Sequence, residues 1–301
     1  MRTAYLGTSE FAATVLRRLA DSPHRPALVV TPPDRRQGRG RRLHPPPAAA
    51  AAQELSLELL QAENVNEEEA LGRIRAAAPE TVVVCAFGQL IREPLLSEFP
   101  MLNVHPSLLP RWRGAAPIER AMMAGDEVTG VCVMQLTAGL DSGPVALVEE
   151  VPIDPEEDFA GLSTRLAAVG GDLLVRALDL QARGSLAFTE QDEAGVTYAE
   201  KIEPGERRLD LDRPATELAA KVRALTPHVG AYLELSDGER LGVRRARPVD
   251  AQLRPAQLAA REGGLLLGTA EGALQLELVQ PPGGKPMPAD AYLRGHPLPG
   301  S

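Results

Sequence analysis

The sequence predicts an α/β protein: a doubly wound, Rossmann-like parallel-sheet domain followed by a smaller domain of short antiparallel strands. Three observations carry this expectation. Short apolar, β-branched runs alternate with amphipathic helical stretches through the first half of the 301 residues, as chains of βαβ units do. Beyond about residue 204 the pattern changes to brief strands separated by Gly-containing turns, the spacing of a small barrel. Between them, Asn103-Val104-His105-Pro106-Ser107-Leu108-Leu109-Pro110 breaks polar out of an apolar run, where an open α/β sheet collects its ligands beyond the carboxyl ends of its strands.

Taken in order, Ala4 to Thr8, Leu28 to Thr31, Leu57 to Gln61, Val82 to Phe87 and Leu102 to His105 are the expected buried strands. Ser9 to Ala20, Ala48 to Leu55 and Glu67 to Ala78 are the intervening helices. In the first of these Phe11, Val15, Leu16 and Leu19 fall on one face, and Ser9 is placed to cap the start. A helix over Gly114 to Gly125 follows, then strands Val128 to Leu136 and Val145 to Ile153. A long helix, Phe159 to Ala182, closes the domain, with Gly170-Gly171 as the point where it is expected to weaken.

Residues 185–203 show no periodicity and are expected as a linker, giving domains 1–184 and 204–301. A helix from Ala215 to Leu225, stopped by Pro227, opens the second domain. Strands Tyr232 to Leu235, Leu241 to Arg245, Leu265 to Gly268 and Leu274 to Val279 follow, joined in part by Asp237-Gly238 and Glu271-Gly272 turns.

Composition excludes several classes. A 44% hydrophobic and 24% charged chain is ordinary for a globular protein. The N-terminus enters a strand-like run directly, without the apolar segment of a signal peptide, so a cytoplasmic location is expected. Cys85 and Cys132 sit in apolar runs and behave as small hydrophobes, so neither a disulfide nor a metal is expected. Gly7-Thr8-Ser9-Glu10-Phe11-Ala12 carries one glycine where a dinucleotide fingerprint needs three, which excludes a nicotinamide cofactor. The net charge of −9 argues against nucleic acid, but the charge is uneven. Residues 204–301 hold 13 Lys and Arg against 12 Asp and Glu, a net of +1, which leaves −10 for residues 1–203.

The chemistry centres on Asn103, His105 and Asp141. Residues two apart in a strand share a face, so Asn103 and His105 project together. An amide can stabilise an oxyanion as a tetrahedral centre forms. An imidazole takes a proton from an attacking amine and returns one. Asp141, in the turn-rich Thr137-Ala138-Gly139-Leu140-Asp141-Ser142-Gly143 segment, is expected to fix the tautomer of His105. Together the three groups suit acyl transfer to an amine.

These motifs, with Ala4-Tyr5-Leu6-Gly7-Thr8, Thr31-Pro32-Pro33-Asp34-Arg35, Cys85-Ala86-Phe87-Gly88 and Val196-Thr197-Tyr198-Ala199-Glu200-Lys201-Ile202, resemble the folate-dependent formyltransferases over nearly the whole chain. The resemblance implies that Asn103, His105 and Asp141 are the catalytic trio, and that Ser107, Leu108, Leu109 and Pro110, with Phe87 and Gly88, lie in the site for 10-formyltetrahydrofolate. It implies an OB-like second domain that binds tRNA, and an acceptor that is initiator methionyl-tRNA, contacted by Arg35, Arg36, Arg39, Arg41, Arg42 and Lys201. A monomer without metal is expected. A sugar amine, a purine precursor or water remain as alternative acceptors. Pro106 stands where many close relatives have glycine, Trp112 either covers folate or packs, and the tail Pro297 to Ser301 is expected to be disordered.

Overall fold

The computed structural model describes residues 1–37, 42–235, 238–261 and 264–296; the expected tail lies outside them. The chain divides into two compact units, each discontinuous in sequence. The first comprises residues 1–114, 128–152 and 163–198, and the second residues 115–127, 153–162 and 199–301. The boundaries expected at 184/185 and 203/204 are contiguous, whereas the packing units exchange segments.

The first unit contains β1 (Thr3–Gly7), β2 (Pro26–Thr31), β3 (Arg35–Gln37), β4 (Arg42–His44), β5 (Leu59–Gln61), β6 (Thr81–Cys85), β7 (Met101–His105), β8 (Arg113–Gly114), β9 (Val128–Gln135) and β10 (Val145–Pro152). Seven of these form one sheet in the order β10-β9-β7-β6-β1-β2-β5. The five strands from β7 to β5 run parallel, while β9 is antiparallel to β7 and β10 to β9. All five residues of β1 and of β6 are buried, as continuous apolar runs must be when both sheet faces are covered.

Helices α1 (Glu10–Ala20), α2 (Pro47–Glu54), α3 (Glu68–Ala77) and α4 (Leu95–Glu98) join the parallel strands. Ser9 caps α1 by accepting a hydrogen bond from the Ala12 N–H at 3.3 Å. The strand expected from Leu57 begins at Leu59, because Ser56 turns at φ 53° and the Leu57 N–H still bonds to Ala52 of the preceding helix. The strand expected to reach Phe87 ends at Cys85, where Ala86 turns at φ 43°.

The loop expected between residues 35 and 42 contains a short ladder, β3 against β4, pairing Arg35 with His44 and Gln37 with Arg42. The helix expected from Gly114 is α5 (Pro117–Met123); proline sits in its first turn, where a missing N–H costs no hydrogen bond. Helix α6 (Phe159–Ala182) runs unbroken for 24 residues, contrary to the weakness expected at Gly170-Gly171. Both glycines serve close approach: a Cβ at Gly170 would lie 3.0 Å from Val104 Cγ1, and one at Gly171 would lie 2.8 Å from Arg18 Cβ. The helix therefore lies tight against β7 and α1.

The stretch expected as a linker packs within the first unit as far as Tyr198. Thr189 bridges to Val145 and Asp192 caps a 3-10 turn at Glu193–Gly195.

The second unit holds α5, β11 (Tyr198–Ala199) from Ala199 onward, α7 (Ala215–Leu225), β12 (Ala231–Glu234), β13 (Arg240–Val249), β14 (Leu258–Arg261), β15 (Gly264–Gly268), β16 (Ala273–Gln280), β17 (Met287–Pro288) and α8 (Ala289–Gly295). The strands form an antiparallel sheet in the order β12-β13-β16-β15-β14, with β17 on β16. Among the described residues β12 and β14 do not pair, so closure of the expected barrel is not part of its ladder.

Leu218, Val222 and Leu225 of α7, at helical spacing, meet Leu241, Val243 and Leu276 of the sheet in one core. Register shifts around Arg245 let β13 continue to Val249, beyond the expected end at Arg245. Within this unit Arg120 of α5 holds Glu206 at 2.7 Å. That pairing, outweighing partial burial, keeps the Glu206 carboxyl below its usual range.

Candidate active site

Strand β7 builds the centre by simple alternation. Val104 points back toward Gly170, which leaves Asn103 and His105 together on the opposite side, 7% and 4% exposed. Asp141 reaches them from the loop between β9 and β10. Its backbone turns at φ 43°, and the loop re-enters through Gly143, where a Cβ would collide with the Gln135 carbonyl at 2.0 Å. The carboxylate is thereby shared. Asn103 Nδ2 donates to Oδ1 at 3.4 Å, the Gly114 N–H donates to Oδ2 at 2.9 Å, and His105 Nδ1 lies 3.6 Å from Oδ2.

The other ring nitrogen corrects one expectation. His105 Nε2 sits 3.0 Å from the Trp112 carbonyl, and a carbonyl only accepts, so Nε2 carries the hydrogen. The tautomer is set by Trp112 and not by Asp141. Asp141 instead faces Nδ1, the nitrogen free to gain a proton, and its negative charge favours the imidazolium that results. Trp112 holds this carbonyl in place with φ 65°, a strained value for a bulky residue. Its own N–H donates to Thr197 Oγ1 at 2.9 Å, and Arg111 lies 4.4 Å over its half-buried ring. Cys132 pairs with His105 across β7 and β9. Burial pushes its thiol up to about 11, and that of Cys85 to about 12, so neither offers a thiolate nucleophile at neutral pH.

Sequence reasoning missed the partners behind the trio. Gln191 Nε2 donates to the carbonyls of Asp141 (2.8 Å) and Gly143 (2.7 Å), fastening both ends of the turn. Arg113, 4% exposed, donates to Gln191 Oε1 at 2.9 Å and to Glu193 Oε1 at 3.2 Å. Backbone carbonyls and side chains 50 residues away leave no spacing to read. Arg113 carries no sequence signal that marks an arginine as buried. Gln191→Ala is expected to lower kcat about tenfold, roughly 1.4 kcal/mol in the barrier, with KM for both substrates little changed. Gln191→Glu should not rescue it, since a carboxylate cannot donate to two carbonyls; steady-state kinetics checks both.

Of the expected folate residues, Phe87 is 3% exposed and packs in the core beside β6, while Gly88 is exposed with φ 78°. Ser107 is fully buried and its Oγ donates to the Arg111 carbonyl at 2.7 Å, so its hydroxyl closes the turn. Leu108, Leu109 and Pro110 are half-buried in that turn. A Cβ at Gly130 would meet Leu108 Cδ2 at 2.4 Å, so Leu108 lies against β9. These residues follow β6 and β7, adjacent strands whose carboxyl ends point the same way. Arg35, Arg36 and Arg42 are exposed on the β3–β4 ladder. Arg39 and Arg41 lie outside the described residues. Lys201, in the second unit, is exposed, and its carbonyl accepts from Arg120 at 3.3 Å.

Comparison with known families decides the class. A family model described as formyl transferase matches residues 1–178, and one described as formyl transferase, C-terminal domain, matches residues 201–297. The chain belongs to the formyl transferase family. Within that family, methionyl-tRNA formyltransferase of Halorhodospira halophila is 44% identical over 99% of this chain and 97% of its own length. The enzyme of the same name from Parvibaculum lavamentivorans is 40% identical over 99% and 98%. Among solved structures, HypX from Aquifex aeolicus in complex with tetrahydrofolic acid superposes with a TM-score of 0.66 at 18% identity. That likeness covers 97% of this chain and 47% of HypX, and it shows the fold.

Proposed function

We propose that the protein transfers the formyl group of 10-formyltetrahydrofolate to the amino group of initiator methionyl-tRNA. The observation that carries this reading is 40–44% identity along 99% of the chain, through both domains, to methionyl-tRNA formyltransferases. Enzymes of this type act in translation initiation. No helix among the described residues is long and apolar enough to cross a membrane, and we place the protein in the cytoplasm as a monomer.

The chemistry follows from the cluster. The methionyl amine attacks the formyl carbon, forming the new C–N bond and placing the electron pair of the C=O bond on oxygen. Asn103 spends one amide hydrogen on Asp141 and keeps the second for that oxyanion. His105 Nδ1 takes the proton released by the amine, and Asp141 stabilises the imidazolium. As the oxyanion collapses, the bond to the folate N10 breaks and His105 returns the proton there. No atom of the protein joins a covalent intermediate. The site for the folate is formed by the loops at 86–88 and 106–110, and the basic ladder at Arg35, Arg36 and Arg42, with Arg39, Arg41 and Lys201, contacts the tRNA.

The purified protein is tested with 10-formyltetrahydrofolate against charged initiator methionyl-tRNA, charged elongator methionyl-tRNA and free methionine. Formylation of the initiator alone is expected. Folate consumption without a formylated acceptor would make it a hydrolase, and no reaction with any of the three would move the search to sugar amines and purine precursors.

A further inference from the structure

The His105 ring has two acceptors competing for one hydrogen. Nε2 lies 3.0 Å from the Trp112 carbonyl, and Nδ1 lies 3.6 Å from Asp141 Oδ2. A carboxylate is ordinarily the stronger acceptor of the two. The carbonyl keeps the hydrogen through geometry, because it stands at hydrogen-bond distance and the carboxylate does not. Whatever fixes the Trp112 carbonyl in place therefore decides which nitrogen is left bare.

Trp112 is an unfavourable residue for that task. Its φ of 65° lies in the left-handed region, which a bulky side chain adopts only where the surroundings impose it. Two peptide groups flank its Cα, and both are tied to Thr197. The peptide on the amino side gives its N–H, that of Trp112, to Thr197 Oγ1 at 2.9 Å. The peptide on the carboxyl side gives its N–H, that of Arg113, to the Thr197 carbonyl at 2.9 Å. This second peptide is the one whose oxygen faces His105. In a trans peptide the N–H and C=O point in opposite directions, so one planar group runs from Thr197 on one side to the imidazole on the other. Donation at one end also strengthens acceptance at the other.

Thr197 completes the arrangement with its own N–H, which donates to the Pro110 carbonyl at 3.3 Å. It is half-buried at the end of a strap, residues 191–197, that lies on the Pro110 turn: a Cβ at Gly195 would be 3.2 Å from Pro110 Cγ. Gln191, at the other end of the strap, fastens Asp141, the residue facing Nδ1. One strap thus places a partner on each side of the ring.

We propose that Thr197 is a positioning residue for His105: by pinning both peptides of Trp112 it holds the hydrogen on Nε2 and keeps Nδ1 bare to receive the proton of the amine. The inference rests on the role of His105 given above and adds to it the residue that prepares the ring. Without Oγ1 the turn at Trp112 relaxes and the carbonyl leaves Nε2. The ring then gives up that hydrogen to water and takes one at Nδ1, where Asp141 accepts it. In that form Nδ1 has no lone pair to offer.

The test reads the tautomer directly, by nitrogen NMR of the imidazole in the full chain labelled at histidine, at about pH 8.5, where an ordinary histidine is neutral. His105→Ala identifies the His105 signals among those of the five histidines. Wild type is expected to carry the hydrogen on Nε2. Thr197→Val, which keeps the shape and removes the oxygen, is expected to place most of it on Nδ1 and to lower kcat about tenfold, since only molecules with a bare Nδ1 react. KM for both substrates should stay within about threefold of wild type. Thr197→Ser, which retains the hydroxyl, should restore tautomer and kcat together. Thr197→Ala removes the same oxygen and takes the place of Thr197→Val if that variant fails to fold.

The wild-type tautomer in Thr197→Val or Thr197→Ala would overturn the proposal, as would a folded Thr197→Ser that behaves like Thr197→Val. A changed tautomer with unchanged kcat would leave Thr197 as the residue that fixes the ring and would remove His105 from the proposed transfer. Because the resonances are read without substrate, the result stands apart from which acceptor the enzyme formylates.

Discussion

His105→Ala is expected to lower kcat for formylation by a factor of 10² to 10⁴, the usual range for loss of a positioned acid–base group, while KM for 10-formyltetrahydrofolate and for the tRNA stays within about threefold of wild type. The argument is geometric. Nε2 is committed to the Trp112 carbonyl at 3.0 Å, so proton exchange is confined to Nδ1. That nitrogen faces Asp141 Oδ2 at 3.6 Å, so a negative charge stands beside the positive charge that the ring acquires when it takes the proton of the amine. The charge on the ring exists only once the amine has lost its proton, so most of the stabilisation falls in the transition state and little in the ground state. A variant that kept more than a tenth of wild-type kcat would remove His105 from the chemistry.

The parts of this site that sequence could show are those with a local pattern. Asn103 and His105 stand two apart in an apolar run, so their shared face follows from strand geometry. Asp141 lies in a segment rich in turn residues; in the structure that segment leaves β9 beside the amino end of β7, where the Leu136 N–H bonds to the Met101 carbonyl, and returns to bring the carboxylate to Asn103 and His105. Helix α6 was legible over its whole length, and only the purpose of Gly170-Gly171 was not, because close packing against Val104 and Arg18 has no signature along the chain.

What sequence could not show is held by backbone atoms or by distant partners. The Trp112 carbonyl carries no side-chain identity, yet it selects the tautomer of His105. Gln191 lies in a stretch without periodicity, so a linker was the natural expectation; its two hydrogen bonds to the Asp141 turn appear only in three dimensions. In the second unit α8 is seven residues long and β14 is four, too short for a periodic pattern to emerge. Arginines look alike in sequence. Arg245 and Arg247 turn out to be neutralised by Glu277, whereas Arg244 is not.

Asn103→Ala is expected to cost 10² to 10³ in kcat, the scale seen when one oxyanion donor is removed, and to leave the dissociation constant for 10-formyltetrahydrofolate within about threefold of wild type. A rival explanation is that the substitution merely releases the Asp141 loop. The structure argues against it, because the Asn103 contact to Asp141 is long at 3.4 Å, whereas Gly114 and Gln191 hold the same residue at 2.9 and 2.8 Å. Loss of the weakest of three tethers should leave the loop in place, so the thermal midpoint should hardly move. Gln191→Ala provides the contrast: it loosens the loop without touching the amide, and its smaller effect on kcat measures what positioning alone is worth. If Asn103→Ala and Gln191→Ala lowered kcat equally, Asn103 would be a tether and the oxyanion would need another donor. If Asn103→Ala weakened folate binding as much as it slowed turnover, the amide would be recognising the ground state, and the assignment of its second hydrogen to the oxyanion would fall.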